Sequence, residues 1–235
     1  MSDAAPAPAD VDPRTAAAAI RRARMRERLL DAVLDLYQPG QGSGSLVIED
    51  VIRAADVSRG SFYKYFESLD AAVNELGERM TADLIADFRR LFDDVTDPLV
   101  RAVGGAAMAM ARAWHDPRWG GFTCRVDYVD YFARASMFDL LVRDALKAAR
   151  DGGRMQFRSI DVAVDLIVGM TIEARRRLML RSVEPRAYID EMVERTFAGL
   201  GAEPAAIAAA SVLAWDMMMR AAPGLGWWRS GEGLG

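Results

Sequence analysis

Cysteine and histidine are nearly absent from this chain of 235 residues, which has one of each, Cys124 and His115. A single cysteine forms no intrachain disulfide, which suits a reducing cytosol. A metal site of the cysteine and histidine kind lacks ligands, and a histidine-based triad would have to use His115. The two residues lie nine positions apart with no orienting motif, so we predict a protein that is not an enzyme and needs no cofactor.

Long apolar runs are also missing. No run reaches the roughly 18–20 residues that a membrane-spanning helix needs, and residues 1–13 have no basic start followed by an apolar core. That segment is therefore not a signal peptide, and its alanine, proline and aspartate content predicts a disordered leader. We expect a cytoplasmic protein with no membrane partner.

Charge is unevenly distributed along the chain. The net charge is −4, which argues against a protein coated with nucleic acid. Yet six arginines between residues 14 and 28 are accompanied by one acid, Glu27. This is a local basic block on an acidic protein, and it is compatible either with a solvated helix face or with a contact to DNA.

Helical periodicity dominates the sequence and no convincing alternating strand is present, which predicts an all-α protein. Glycine and proline end several of the segments, most clearly at residues 39–45, and the glycine-rich residues 222–235 predict a flexible tail. The predicted helices cover 14–37, 47–55, 59–65, 69–92, 99–114, 122–150, 160–181, 186–200 and 204–221.

Two short helices with a tight turn between them are predicted within residues 47–66. Asp56 lies in the turn and tolerates left-handed backbone better than most residues. Ser58 is a good N-cap for the second helix, and Phe62 and Phe66 have the i, i+4 spacing of a buried face. This pattern predicts a helix-turn-helix unit.

The same stretch resembles the N-terminal domain of the TetR family of transcriptional repressors, at Ala54, Ala55, Val57, Ser58, Gly60, Tyr63 and Phe66. The resemblance implies a helix-turn-helix DNA-binding domain over 14–68 and a larger helical effector-binding and dimerisation domain over 69–221. It further implies a repressor that binds a palindromic double-stranded operator as a homodimer and is released by a small apolar or amphipathic effector. A regulator of the same fold with no effector is the alternative.

Three positions depart from the family's pattern. Asp56 stands where glycine is usual, Val47 where a threonine often opens the first short helix, and Leu69 where a lysine is usual. Ser45 is a candidate replacement for the missing cap. These changes predict fewer phosphate contacts than relatives make.

Each candidate DNA-binding residue has a chemical reason. Arg59 and Ser61 begin the second short helix and are predicted to reach base edges, whereas tyrosine hydroxyls and Lys64 suit phosphates. Gly60 permits close approach of backbone to a phosphate, and the arginine block suits phosphates or the minor groove. The predicted DNA-binding residues are Arg21, Arg22, Arg24, Ser45, Ser58, Arg59, Gly60, Ser61, Tyr63, Lys64 and Tyr65.

The larger half is rich in aromatic and methionine side chains, which either form core or line an effector pocket. The helix over 122–150 is apolar on almost every side, which is typical of a buried or cavity-lining helix. The predicted pocket residues are Met108, Trp114, His115, Trp119, Phe122, Tyr128, Phe132 and Met170. By the resemblance, the helices over 160–181 and 186–200 form the dimer interface, with Ile167, Met170, Thr171, Leu178, Met192, Val193, Thr196 and Phe197 as candidates.

Overall fold

The computed structural model describes residues 13–37, 46–129, 137–231 and 234, and in this part of the chain every regular element is helical. The chain divides into two compact units. The N-terminal unit extends to Asn74, and the C-terminal unit begins at Glu75 and also takes in Tyr37. The division falls inside a helix, six residues after the predicted boundary, because Ala72 and Val73 at the start of that helix are buried.

The N-terminal unit consists of α1 (Pro13–Leu36), α2 (Ile48–Ala54), α3 (Arg59–Tyr63) and the first residues of α4 (Leu69–Phe92). Its core holds Leu29, Leu30, Val33, Val51, Phe62 and Phe66. Ile20 fits the apolar spacing of α1, but it is 54% exposed. The seven residues of α2 span about 10 Å and those of α1 about 36 Å, so the short helices cover only part of α1.

The turn between α2 and α3 sets the direction of α3. Asp56 has a φ of 49°, which confirms the predicted left-handed conformation. The amide of Val57 donates to the carbonyl of Ile52 at 3.0 Å and closes α2. The Oγ of Ser58 then accepts from the amide of Ser61 at 3.1 Å, as an N-cap does.

The start of α2 lacks a hydroxyl cap because Val47 occupies the N-cap position. The carboxylate of Asp50 accepts instead from the Val47 amide at 3.3 Å. One orphan amide of this helix end is therefore satisfied from within α2. Ser45, predicted as a replacement cap, lies outside the described residues.

The C-terminal unit is built around α5 (Pro98–His115), which packs against each of the five helices that follow it. These are α6 (Pro117–Val129), α7 (Met137–Asp151), α8 (Ile160–Met179), α9 (Pro185–Gly199) and α10 (Pro204–Ala221). Fourteen of its residues are buried, so α5 is surrounded by protein. α5 is therefore the central helix of this unit.

Two adjacent glycines let α4 approach α5 closely. A Cβ on Gly104 would lie 2.6 Å from the ring of Phe92, and one on Gly105 would lie 3.0 Å from the ring of Phe88. Both distances are shorter than normal carbon contacts. Any larger residue at Gly104 would therefore push the two helices apart.

The helix predicted over 122–150 corresponds to two described helices, α6 and α7, and residues 130–136 between them lie outside the described part. α6 begins at Pro117, five residues before the predicted start. The carboxylate of Asp116 accepts from the amide of Trp119 at 3.1 Å, and proline is favoured in the first turn because its missing N–H is not needed there. The chain is thus interrupted between α5 and α6 as the predicted helix bounds imply, but the interruption is only Asp116.

The chain after α10 packs against the C-terminal unit, unlike the flexible tail predicted for residues 222–235. Leu225 and Trp227 are buried. The Nε1 of Trp227 donates to Oδ2 of Asp87 at 2.7 Å, and the amide of Arg229 donates to Nδ1 of His115 at 3.2 Å. The buried indole of Trp227 and its hydrogen bond stabilise this segment, whereas its glycine content alone predicted a flexible one.

One described helical stretch, Pro204–Gly224, is long and apolar enough to cross a membrane by length and composition alone. One side of α10 is buried in the core and holds Ile207, Ala214 and Trp215. Its opposite side exposes Val212 and Leu213. An apolar composition on both sides is typical of a helix that is covered on both sides.

Asp56 provides a test of the turn. We expect Asp56→Gly to raise the free energy of unfolding by up to about 1 kcal/mol, because glycine adopts left-handed backbone without a Cβ clash. Asp56→Ala should lower it by about 1 kcal/mol for the opposite reason. Urea denaturation of the two variants checks both signs, and equal stability of the two would contradict a left-handed turn.

Candidate nucleic-acid interface and effector cavity

The exposed face of α3 is defined by the side chain that α3 buries. Phe62 is fully buried and packs on Phe66, with ring centroids 5.7 Å apart. These two residues therefore belong to the core, as their spacing predicted. The residues around them that remain at the surface are Ser58, Arg59, Gly60, Tyr63 and Lys64, while Ser61 and Tyr65 are half-buried.

Glycine at position 60 is not required by the fold. The nearest atom to a Cβ built on Gly60 is the Oγ of Ser58, at 4.0 Å. An alanine would fit this structure without strain. The absence of a side chain therefore matters only for what approaches α3 from outside.

The arginine block of α1 divides into two groups. Arg21, Arg22 and Arg24 are exposed. Arg26 instead turns toward the core of its own unit, where its Nη1 donates to the carbonyl of Tyr65 at 3.1 Å and its guanidinium lies 4.5 Å from the ring centroid of Phe66. Arg26 therefore stabilises its own unit. Arg21, Arg22 and Arg24 are exposed and can contact a bound partner.

The structure brings Arg22 of the arginine block close to Tyr65, just after the α3 helix. The guanidinium of Arg22 lies 5.9 Å from the ring centroid of Tyr65. A basic residue of α1 and an aromatic residue just after α3, 43 positions apart, thus share one surface. Basic groups interleaved with aromatic rings are typical of nucleic-acid contacts.

Acidic side chains lie on the same surface, which the sequence reading did not include among site residues. The Nη1 of Arg59 donates to Oε1 of Glu49 at 2.6 Å. Asp56 pairs with Arg28 at 3.6 Å. A hydrogen bond with Tyr63 and the attraction of Glu49 raise the pKa of Arg59, so Arg59 is positively charged throughout the physiological range.

A small cavity of about 50 Å³ lies in the C-terminal unit. Its described lining is apolar except for Arg101 and Thr171, whose Oγ1 donates to the carbonyl of Ile167. The lining comes from α4, α5, α7, α8 and α9, and comprises Leu84, Phe88, Arg101, Ala102, Gly105, Ala106, Met108, Ala109, Leu141, Val142, Ala145, Leu146, Ile167, Thr171 and Phe197.

Of the residues predicted to line a pocket, Met108 lines this cavity. Trp114, His115, Trp119, Phe122 and Met170 do not. The side chain of Tyr128 and the whole of Phe132 lie outside the described residues. Trp114, His115 and Trp119 pack instead against arginines and the C-terminal segment. Phe122 packs against Tyr37, with ring centroids 5.1 Å apart.

Trp114 and His115 at the end of α5 show this packing. The guanidinium of Arg181 lies 3.8 Å from the ring centroid of Trp114 and donates to its carbonyl at 2.6 Å. His115 stacks on Trp228, with ring centroids 4.3 Å apart. Both rings are therefore occupied by other parts of the same unit.

Trp119 belongs to a buried charged cluster. Arg112 pairs with Asp87 at 3.3 Å, and its guanidinium lies 4.9 Å from the ring centroid of Trp119. Arg175 lies 5.5 Å from the same centroid. Burial lowers the pKa of both arginines, because a low dielectric disfavours the charged form.

The cavity was missed because sequence reasoning sought large aromatic side chains. Its lining is instead rich in small residues, among them Ala102, Gly105, Ala109 and Ala145. Small side chains leave space, whereas large ones fill it. The signal in the sequence was the run GlyGlyAlaAlaMetAlaMetAla at 104–111, within a helix that is otherwise buried.

No protein-family model matches the chain. Among characterised proteins, it is 25% identical over 165 residues to the HTH-type transcriptional repressor DhaR of Mycobacterium sp. (strain GP1). The aligned region covers 68% of this chain and 83% of DhaR. The similarity therefore extends well past the helix-turn-helix.

Several solved structures share the fold. RolR in complex with resorcinol superposes with a TM-score of 0.57 at 19% identity, over 83% of this chain and 95% of RolR. A gamma-butyrolactone receptor does so with a TM-score of 0.62 at 14% identity, over 86% and 99%. TylP, a TetR regulator from Streptomyces fradiae, does so with a TM-score of 0.55 at 18% identity, again over 86% and 99%. The chain therefore has the fold of these regulators, as the resemblance of residues 47–66 implied, and in sequence it is similar to the transcriptional repressor DhaR.

Proposed function

We propose that the chain is a TetR-like transcriptional repressor that binds a DNA operator through the exposed face of α3. The observation that carries the proposal is the helix-turn-helix itself. A left-handed Asp56 and the Ser58 cap begin α3, and the burial of Phe62 turns its polar residues outward. Such a protein is not an enzyme and works in the cytoplasm, where its DNA is.

The exposed residues divide into two kinds of contact. Lys64, Tyr63 and the α1 residues Arg21, Arg22 and Arg24 suit phosphates, which position a protein without reading sequence. Arg59 and Ser61 at the N-terminal end of α3 suit base edges in the major groove. Gly60 allows the backbone of α3 to approach the DNA.

A palindromic operator requires two copies of α3, so we propose a homodimer. Most residues predicted for the interface are buried within the single chain and cannot meet a partner: Ile167, Thr171, Leu178, Val193, Thr196 and Phe197. The outer faces of α8 and α10 offer large apolar side chains instead. Val162 and Leu166 lie one turn apart on α8, Val212 and Leu213 are neighbours on α10, and all four are exposed. We propose them as the dimer face.

We propose the cavity beside Met108 as the effector site. It is apolar with a few polar groups, as small-molecule sites are. RolR was solved with resorcinol, and another structural relative is a gamma-butyrolactone receptor, which supports a small amphipathic effector here. The effector would act only through its different affinities for DNA-competent and released states.

The alternative is a regulator with no effector, and the size of the cavity favours it. Pockets for drug-sized ligands measure about 300–1,000 Å³, whereas this cavity measures about 50 Å³. Effector binding would therefore have to enlarge the site by moving its lining.

Lys64 tests the DNA-facing surface. The operator is first identified by sequencing genomic fragments that the wild-type chain retains. Lys64→Ala should then weaken binding to all duplexes and flatten the slope of log affinity against log salt by about one unit. Lys147→Ala, which removes an exposed lysine of α7, is the matched control and should change neither. Equal behaviour of the two variants would place Lys64 away from the phosphates.

Leu213 tests the dimer face. Leu213→Glu should convert a dimer into a monomer, because an unpaired carboxylate would be buried between two copies. Light scattering after size-exclusion chromatography measures the mass. Leu140→Glu is the control, since Leu140 is 56% exposed and Leu213 52% while Leu140 lies on α7. A dimeric Leu213→Glu variant would refute the α8 and α10 face.

A thermal-shift panel of phenols, lactones, acyl-CoAs, steroids and drugs separates sensor from non-sensor. A ligand at about 100 times its dissociation constant stabilises by about 2.7 kcal/mol, which raises Tm measurably. Ala145→Leu should remove the shift, because leucine fills space at the cavity wall. No stabilisation by any compound would favour the effector-free alternative, and a shift that survives Ala145→Leu would place the site elsewhere.

A further inference from the structure

Glu49 and Arg59 form an ion pair that joins α2 to α3. Glu49 lies in the first turn of α2, and Arg59 is the first residue of α3. The Nη1 of Arg59 donates to Oε1 of Glu49 at 2.6 Å. The same guanidinium lies 5.9 Å from the ring centroid of Tyr63, so its position is set by residues of both helices.

The pair remains at the surface. The side chain of Arg59 is 60% exposed and that of Glu49 48%. A guanidinium has five N–H donors in a planar fork, and the contacts to Glu49 and Tyr63 leave donors unused. The other edge of Arg59 is able to donate two hydrogen bonds to a guanine while Glu49 holds the first edge.

An arginine whose guanidinium is not fixed by a carboxylate can bind either phosphates or bases. Its long, flexible side chain reaches phosphates as readily as bases, and phosphate contacts carry no sequence information. A carboxylate that holds the head group in one place reduces this freedom. The carboxylate also repels the phosphates of any duplex, which disfavours binding wherever Arg59 finds no base to read.

We propose that Glu49 is a positioning residue that gives Arg59 its base selectivity, at the expense of affinity for DNA in general. The inference rests on the proposed function and adds a specificity determinant to it. Holding an exposed side chain in one orientation is a small effect beside the arginine–guanine contact itself. Glu49 should therefore modulate, rather than create, the preference at the base pair that Arg59 reads.

The rival interpretation is that Glu49 only competes with DNA for Arg59. Breaking an exposed ion pair is easy relative to forming a bidentate contact with guanine. In that case the pair would open in the complex. Removing Glu49 would then raise affinity for every duplex without lowering selectivity.

The test is the binding preference of the full-length chain for a library of randomised duplexes, read by sequencing the bound fraction. Glu49→Gln should bind non-specific duplex more tightly, and its preference at one base pair of each half-site should fall about threefold. Arg59→Ala should lose at least about fivefold at that same base pair. The double variant should lose no more than Arg59→Ala alone, because Glu49 acts through Arg59.

Asp56→Asn is the matched control, since it also removes a carboxylate from this surface but one that pairs with Arg28, and asparagine tolerates left-handed backbone. It should raise non-specific affinity and leave every base preference unchanged. The proposal is overturned if Glu49→Gln keeps the wild-type preference, if Asp56→Asn lowers it equally, or if Arg59→Ala changes no position. A wild-type chain that binds no duplex at all would instead refute the proposed function.

Discussion

A helix of five residues can bury one side chain deeply, and in α3 that side chain is Phe62. The left-handed backbone at Asp56 and the Ser58 cap decide where α3 begins, and so decide which residues share the side of Phe62. Shifting the start by one residue would rotate every side chain by about 100°. The outward direction of Arg59, Tyr63 and Lys64 follows from this one register, and so do the DNA contacts proposed for α3.

The C-terminal unit depends on the contrast between large and small side chains along α5. Gly104 and Gly105 allow the rings of Phe92 and Phe88 to approach, while other small residues of the same helix border the cavity. Close packing and empty space therefore arise from the same part of the sequence. Both involve α4, the helix that begins in one unit and ends in the other.

Sequence predicts what is local in this chain and misses what depends on distant partners. The turn at Asp56, the cap at Ser58 and the core positions Phe62 and Phe66 follow from backbone preference and helical spacing, so they were predictable. Periodicity shows that a face is apolar but not what covers it. Ile20 is exposed although it fits the apolar spacing of α1. Phe197 is buried within its own chain although the resemblance placed it at the dimer interface.

The site was likewise predictable only in part. Serine, glycine, tyrosine and lysine at fixed offsets indicated the surface of α3, but no offset relates Glu49 to Arg59, because their contact depends on how the α2–α3 turn folds. The cavity was hidden for a different reason, since absent side chains such as those of Gly105 and Ala145 give no chemical signal. Trp114 and Trp119 were predicted to line the pocket because they are aromatic, but such large side chains fill space rather than leave it.

The segment after α10 is joined to the interior of the C-terminal unit through Trp227. Trp227 shares the carboxylate of Asp87 with Arg112, an arginine in the middle of the buried network. Loss of the Trp227 indole would thus leave this partly buried acid to Arg112 alone among the described side chains. A change far along the chain from α5 would therefore be felt inside the network that surrounds α5.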